Sequence, residues 1–214
     1  ELLRSSYRAI KAADPSAVVL LGGQAGMFDF MVDYWEPVLE GAHQFFDIGN
    51  IHSISSSNSF FSAEYRVFLD RFGHQEKPFW VTEAEIGERS LRDGSEEELA
   101  QIAFTGSVTS FVNGAEVVIV AGAAYGHPRV PQKVRETWEV VISTIGVFDF
   151  VTGLTKSSAR FNMPDGTIIY AVWDGAGLPI EVTGSVLTRR YDGVEATLDA
   201  SQVAPELPTF VLVG

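Results

Sequence analysis

Two carboxylates, Glu83 and Glu85, stand where an apolar run ends, in Lys77-Pro78-Phe79-Trp80-Val81-Thr82-Glu83-Ala84-Glu85. The aromatic and β-branched residues of this run are typical of a buried strand. Such a strand delivers its terminal acid to the edge of a sheet, where a cleft can form. For Glu83 the pattern leaves two interpretations open, a catalytic carboxylate or a strand-end acid that pairs with an Arg or Lys. Glu85 is either a solvated loop acid or a contact to a ligand hydroxyl.

Four further polar side chains lie near the ends of other apolar runs: Gln24, Asn50, His52 and Tyr125. Asn50 and His52 share one face of a strand by alternation, although Asn50 could equally bond backbone and a lone strand histidine is commonly structural. Gln24 follows the first run and Tyr125 the last, where loops line the cleft of a parallel barrel. Each could also be an ordinary loop residue.

Metal and cofactor chemistry have little support in the sequence. The chain has no cysteine, which excludes disulfides, thiolate catalysis and cysteine-type zinc sites. Its histidines lack the close spacing of metal ligands, and no glycine-rich nucleotide loop or phosphate-loop lysine follows any strand. We therefore predict neither a metal site nor a cofactor.

The net charge of -13 disfavours nucleic acids and anionic membranes as partners, because both are bound through Lys and Arg. A neutral or cationic ligand fits this charge better. No stretch has the length of a membrane span or the pattern of a signal peptide, and the compartment stays open, extracellular or cytoplasmic. Since the sequence starts with Glu1-Leu2-Leu3-Arg4 inside an apparent helix, we expect a processed chain or a fragment.

Helical and strand-like segments alternate through the first 150 residues. Such alternation predicts an α/β fold of parallel strands with right-handed crossovers. Ser95 and Glu98 have the spacing of a capping box at the start of one helix. The expected helices cover 1–13, 27–40, 60–72, 96–112 and 130–145, and the expected strands cover 17–22, 45–52, 78–83 and 115–122.

After about residue 150 the pattern changes to short strands separated by turns such as Asp165-Gly166 and Asp192-Gly193. This spacing predicts an antiparallel sheet. We expect two domains, a βα domain over 1–150 and a small antiparallel β-domain over 151–214. The expected strands of the second domain are 167–173, 179–182, 185–188, 195–198 and 210–213.

A family resemblance rests on the order and spacing of four motifs: Ala9-Ile10-Lys11-Ala12-Ala13-Asp14-Pro15, Val19-Leu20-Leu21-Gly22-Gly23, Phe46-Asp47-Ile48-Gly49-Asn50-Ile51-His52-Ser53, and Lys77 to Glu83. Together they resemble the C-terminal half of a clan A glycoside hydrolase of the family 39 or family 5 type. The resemblance covers almost the whole chain. It implies a half (β/α)8 barrel, with strands five to eight, followed by a β-domain.

The same resemblance implies that Glu83 matches the catalytic nucleophile and that His52 lies near it and the sugar. In such enzymes a second carboxyl group, within an Asn-Glu pair on the fourth strand, protonates the leaving oxygen. No Asn-Glu pair occurs in this sequence. Ile54 replaces a frequent tyrosine, and Val120-Ala121-Gly122-Ala123-Ala124 lacks the usual aromatic sugar platform unless Tyr125 replaces it. Trp80, opposite Glu83 by alternation, is expected in the core.

Half a barrel leaves two strand edges unpaired, those of 17–22 and 115–121. We expect an N-terminal half-barrel chain or a homo-oligomer to cover them, or else a rearranged open sheet. The leading hypothesis is a retaining O-glycosidase for β-linked glycans, with Glu83 as nucleophile and the acid/base supplied by the missing half or a partner. The alternative is a non-catalytic carbohydrate-binding or assembly module that kept the scaffold.

Overall fold

A computed structural model describes residues 1–53, 59–120 and 130–213. The chain divides into two compact units, one formed by Glu1–Gly87 and Thr109–Ala121 and the other by Glu88–Val108 and Gly122–Gly214. The predicted domain division at residue 150 stays a prediction. None of the helices in the described ranges combines the length and the apolar character needed to cross a membrane.

The first unit is built on a parallel sheet of three strands in the order β1-β2-β3. Helices precede and separate these strands, so the predicted α/β alternation is confirmed at this level. The elements are α1 (Leu2–Ala13), α2 (Asp29–Ala42), β1 (Gly49–Ser53), α3 (Ser62–Arg71), β2 (Phe79–Ala84) and β3 (Ala115–Val120).

The expected strand at 17–22 is not a continuous strand. The segment 19–24 instead makes two isolated parallel bridges to the β1 side of the sheet, Leu20 to Ile48 and Gln24 to Ile51. The amide of Leu21 also donates to the carbonyl of Ile48 at 2.9 Å. This segment therefore runs beside β1 in the direction that the sequence predicted, but with interrupted pairing.

Asp47 ties α1 and the segment 19–24 to the start of β1. Its carboxylate lies 2.9 Å from Lys11 Nζ and accepts hydrogen bonds from the Val19 amide at 2.9 Å and the Tyr7 hydroxyl at 3.0 Å. Burial opposes the charge on Asp47, yet the bonds from Lys11, Val19 and Tyr7 outweigh it and lower its pKa. The carboxylate thus stays ionised and keeps three parts of the chain together.

One face of β2 packs into the core of the first unit. Phe79 and Val81 are fully buried, and Tyr65 of α3 meets the Phe79 ring edge-on at 5.4 Å. Each such side chain contributes about 1.5–3 kcal/mol through removal of apolar surface from water. This packing fixes the strand whose carboxyl end carries Glu83.

The second unit contains a six-stranded antiparallel sheet in the order β4-β5-β6-β9-β7-β8. The predicted antiparallel sheet is confirmed, but β4 and β5 and the short helix α4 were not expected, and the strand expected at 179–182 is absent from the described structure. The elements are α4 (Glu88–Asp93), α5 (Glu96–Val112), α6 (Gln132–Ile145), β4 (Phe150–Thr155), β5 (Ser158–Asn162), β6 (Ile168–Val172), β7 (Ser185–Arg190), β8 (Glu195–Asp199), a 3₁₀ turn (Ala200–Gln202) and β9 (Thr209–Val213).

The capping box at the start of α5 is confirmed, because the Ser95 amide donates to Glu98 Oε2 at 2.8 Å and the Glu98 amide donates to Ser95 Oγ at 3.2 Å. In the same first turn, Glu97 pairs with Lys133 of α6 and accepts a hydrogen bond from Tyr191. Phe104 of α5 packs on Phe210 of β9 at 4.5 Å. These contacts hold the first part of α5 and α6 in the second unit.

A buried histidine makes the stability of the first unit depend on pH. His74 packs edge-on against Phe46, and its Nε2 has no hydrogen-bond partner within the described residues. Burial first, and then the positive charge of Lys77, lowers the pKa of His74 from 6.5 to about 4. Between these two pH values His74 binds a proton in the unfolded chain but not in the folded one. The free energy of unfolding therefore falls as the pH drops from 6.5 towards 4.

We expect the substitution His74→Phe to reduce this loss, which amounts to at most about 3 kcal/mol. Urea-unfolding midpoints measured at pH 7 and pH 4.5 check it. The neighbouring exposed residue Gln75 does not titrate and provides the control, since Gln75→Ala should keep the wild-type pH dependence. An unchanged slope in His74→Phe would contradict the assignment.

Candidate active site

Two side chains proposed from the sequence as site residues, His52 and Glu83, meet where β1 and β2 end. His52 and Glu83 are register partners in these neighbouring parallel strands. His52 Nδ1 lies 3.2 Å from Glu83 Oε2, and the two side chains are 26% and 43% exposed. The carboxyl ends of parallel strands share one edge of a sheet. The pairing of β1 with β2 therefore holds the two residues side by side at this edge, where both side chains are open to solvent.

A register shift creates this contact. Ile51 pairs with Val81, but the next residue, His52, pairs with Glu83, so Thr82 is an extra residue in β2. Such bulges re-aim side chains. Without it, strict alternation would place Thr82, and not Glu83, beside His52.

Asn50 is buried and anchored beside the pair. Its backbone amide donates to the Tyr65 hydroxyl at 2.8 Å, and its side-chain oxygen accepts a hydrogen bond from Thr82 Oγ1 at 2.6 Å. Burial raises the pKa of Tyr65, which keeps this hydroxyl protonated. The consecutive residues Thr82 and Glu83 therefore contact Asn50 and His52, which alternation places on one face of β1.

Gly23 lies directly against the imidazole of His52. A Cβ atom at this position would come within 2.0 Å of His52 Nε2, so only glycine leaves room for the ring. The chain around it is fixed by backbone hydrogen bonds, from the Gln24 amide to the Asn50 carbonyl at 3.1 Å and from the His52 amide to the Gln24 carbonyl at 2.7 Å. The segment 19–24 thus forms a wall behind His52.

The side chain of Gln24 is fully buried. Its Nε2 donates to the Gly26 carbonyl at 3.0 Å and lies 3.1 Å from Met27 Sδ, while its Oε1 has no hydrogen-bond partner within the described residues. Substrate contact by Gln24 remains a prediction.

Glu85 follows β2, and its backbone amide donates to the Ser53 carbonyl at 2.9 Å. The parallel pairing thus extends one step beyond the strand. A ligand contact by the Glu85 carboxylate remains a prediction. Tyr125, and with it Ile54 and the 121–124 segment, lies outside the described residues.

Glu83 is not neutralised by a basic residue in the described part of the chain. The His52 imidazole contacts its carboxylate, and among the described side chains no Lys or Arg nitrogen comes within 4.0 Å of it. Both interpretations of Glu83, a catalytic carboxylate and a strand-end acid paired with an Arg or Lys, stay predictions.

Trp80 is a site-face residue that the sequence analysis misplaced. It was expected in the core, but the buried residues of β2 are its neighbours Phe79 and Val81. Trp80 is the register partner of Asn50, is partly exposed and approaches Glu116 Oε2 with its indole nitrogen at 3.4 Å. Strict alternation would place Trp80 and Glu83 on opposite faces of β2. The extra residue at Thr82 shifts the alternation by one position, so both lie on the same face.

Among the described residues, no group of three or more His, Asp and Glu side chains could hold a metal ion. The described strand ends bring together a carboxylate and an imidazole, with the Asn50 amide and the Thr82 hydroxyl next to them. A carboxylate in this setting can act as a nucleophile or as a general base.

No protein-family model and no curated protein matches the sequence. Solved structures do. A glucosidase from Croceicoccus marinus is 12% identical with a TM-score of 0.56, over 99% of this chain and 63% of that one. A GH39 enzyme from Xanthomonas axonopodis pv. citri is 10% identical with a TM-score of 0.52, over 99% and 63%. A GH39 β-xylosidase from Caulobacter crescentus is 12% identical with a TM-score of 0.53, over 99% and 60%.

These likenesses confirm, at the level of fold, the resemblance to family 39 glycoside hydrolases that the sequence motifs indicated. The chain spans about six tenths of the length of the structures that it matches.

We expect Gly23→Ala to push the His52 ring away from Glu83, because the new methyl group would occupy the position of Nε2. The overpacking should cost about 1–3 kcal/mol of stability. The His52 ring-nitrogen NMR signals should move toward those of Glu83→Gln, in which the contact with the Glu83 carboxylate is also lost. Gly22→Ala is the matched control, since its Cβ would meet the Trp35 ring at an ordinary 3.4 Å. Wild-type His52 signals in Gly23→Ala would refute the close packing.

Proposed function

We propose that this chain is part of a retaining glycoside hydrolase, with Glu83 as the catalytic nucleophile. In this proposal the segment 19–24 and strands β1, β2 and β3 are the last four strands of a (β/α)8 barrel. The observation that carries it is the 3.2 Å contact between Glu83 Oε2 and His52 Nδ1 at the carboxyl edge of the sheet. The fold shared with GH39 enzymes supports the same assignment.

The chemistry follows from the carboxylate. Glu83 attacks the anomeric carbon, a glycosyl ester forms, and the bond to the leaving oxygen breaks with its electron pair on that oxygen. Water then cleaves the ester and frees the carboxylate. His52 would hold one carboxylate oxygen so that the other faces the sugar.

The leaving oxygen needs a proton from a second carboxyl group about 5–5.5 Å from the nucleophile. The 214 residues contain no Asn-Glu pair of the kind that supplies it in this clan. We propose that this acid/base comes from the remaining barrel strands, on an N-terminal half-barrel chain or segment, or from a second copy of this chain.

An open sheet edge supports this proposal. Within the described residues β3 pairs with β2 alone, and Ile119 of β3 is exposed. An unpaired edge with exposed apolar residues is a template for another strand. Closing the barrel would cover it and would place a second carboxylate across from Glu83.

We propose neutral β-linked glycans as the substrates. The net charge of -13 disfavours acidic sugars, and the structures of similar fold include a glucosidase and a β-xylosidase. Asn50, His52, Gln24, Glu85 and Tyr125 are the proposed contacts to sugar hydroxyls.

A second candidate function is a non-catalytic carbohydrate-binding or assembly module. The missing Asn-Glu pair favours it, because a lone carboxylate cannot protonate the leaving group of a natural glycoside. Oligosaccharide binding that Glu83→Ala leaves unchanged, with no hydrolysis by wild type, would support this module over the hydrolase.

Dinitrophenyl β-glucoside and β-xyloside test the nucleophile in this chain alone, because dinitrophenolate leaves without a proton and the missing acid is not needed. We expect the wild type to release dinitrophenolate and Glu83→Gln to be slower by about a thousandfold or more.

Glu76→Gln removes the same charge from the turn before β2 and should match the wild type. A wild type that is inert towards both glycosides, or a Glu83→Gln variant with wild-type rates, would rule out Glu83 as nucleophile.

A further inference from the structure

Three phenylalanines form an exposed aromatic surface in the first unit, which we name the aromatic ledge: Phe28, Phe30 and Phe61. The rings of Phe28 and Phe30 are parallel to within 1° with centroids 5.8 Å apart. Phe61 meets Phe28 edge-on at 5.6 Å. Phe28 is 40% exposed and Phe30 is 64% exposed. Phe30, stacked on Phe28 and the more exposed of the two, therefore presents apolar ring surface to water.

The ledge lies close to Glu83. Gly23 packs against the His52 ring, which contacts Glu83, and Gly26 packs against the ledge, where an added Cβ would come within 2.7 Å of the Phe28 ring and 3.3 Å of the Phe61 ring. In the chain, Phe28 and Phe30 follow the segment 19–24 and Phe61 follows β1, the two stretches whose ends hold Gly23 and His52 beside Glu83. The ledge is therefore placed at the sheet edge that carries Glu83.

Backbone strain supports a built site. Phe60 and Phe61 both have positive φ angles, 47° and 58°, in the left-handed region that bulky residues rarely adopt. Phe60 is fully buried, and the following Ser62 closes the turn through hydrogen bonds from its amide and hydroxyl to the Ser59 carbonyl at 2.9 Å and 2.6 Å. Strain of this kind persists where surrounding structure enforces it and is common at ligand clamps. Here it holds Phe61 against Phe28.

The chemistry of the ledge suits a sugar ring. The axial C–H groups of a β-linked pyranose form an apolar face that stacks on aromatic rings, while its hydroxyls point sideways. Asp29 lies between Phe28 and Phe30 in the sequence and is exposed, as is Asp33 one turn later. These carboxylates can accept hydrogen bonds from hydroxyls and repel uronic acids, so the ledge favours neutral sugars.

We propose that the aromatic ledge is a stacking subsite for a neutral pyranose ring of a β-linked oligosaccharide, beyond the sugar ring that Glu83 attacks. This subsite rests on the proposed function of the Glu83 site. It also gives the cleft an aromatic platform at the start of α2, a place where the sequence analysis did not expect one.

Isothermal titration calorimetry with neutral β-1,4-linked gluco-oligosaccharides, from the disaccharide to the hexasaccharide, tests the ledge without any requirement for hydrolysis. We expect Phe30→Ala to weaken binding of the longer oligosaccharides by about 2- to 10-fold, with little change for the disaccharide. Phe28→Ala should act in the same direction. Phe30 is the cleaner position, because Phe28 also packs on Phe61.

Phe150→Ala is the matched control, since Phe150 is 58% exposed on β4 of the second unit and should leave every affinity unchanged. Equal losses in Phe30→Ala and Phe150→Ala, wild-type affinities in Phe30→Ala, or no oligosaccharide binding by the wild type would each overturn the ledge. Cleavage of the dinitrophenyl glycosides tests the role of Glu83 independently of oligosaccharide binding. Failure of the proposed subsite and failure of the proposed nucleophile therefore give different results.

Discussion

The parallel pairing of β1 with β2, offset by one residue at Thr82, is the constraint on which the site depends. Backbone hydrogen bonds fix the two strands, and the offset turns Glu83 towards His52. The same offset puts Trp80 and Glu83 on one face, where strict alternation would separate them. A single inserted position thus decides which side chains share the strand-end edge.

The His52–Glu83 contact itself adds little to stability. A contact between charged groups this exposed is worth at most about 0–1 kcal/mol, so the fold does not need this one. What holds the pair is the structure behind it: the Tyr65 hydroxyl on the Asn50 amide, the Gly23 backbone against the imidazole, and the Asp47 carboxylate that keeps the segment 19–24 in place. The His52–Glu83 contact adds little stability, yet several buried contacts hold its two residues in place. This combination fits a role in chemistry better than a role in folding.

Much of the fold could be predicted from the sequence, because apolar runs and helix caps are local signals. The runs that became β1, β2 and β3 and the Ser95–Glu98 capping box are of this kind. The segment 19–24 is apolar enough for a strand, yet its pairing is interrupted, and only tertiary hydrogen bonds reveal that. Of the site, Asn50, His52 and Glu83 could be proposed from strand ends. The offset at Thr82 and the aromatic ledge could not, since register and φ angles at Phe60 and Phe61 are set by packing at a distance.

The central claim is our proposal that Glu83 is the nucleophile of a glycosidase whose acid/base is supplied by the remaining barrel strands or by a second copy of the chain. Incubation with a dinitrophenyl 2-deoxy-2-fluoro-β-glycoside, followed by mass spectrometry of peptides, tests it most directly, because the fluorine slows hydrolysis of the glycosyl ester and the leaving group needs no proton. The account predicts one added fluoroglycosyl group, on the peptide that contains Glu83. A protein that stays unlabelled, or one labelled at another carboxylate, would contradict it.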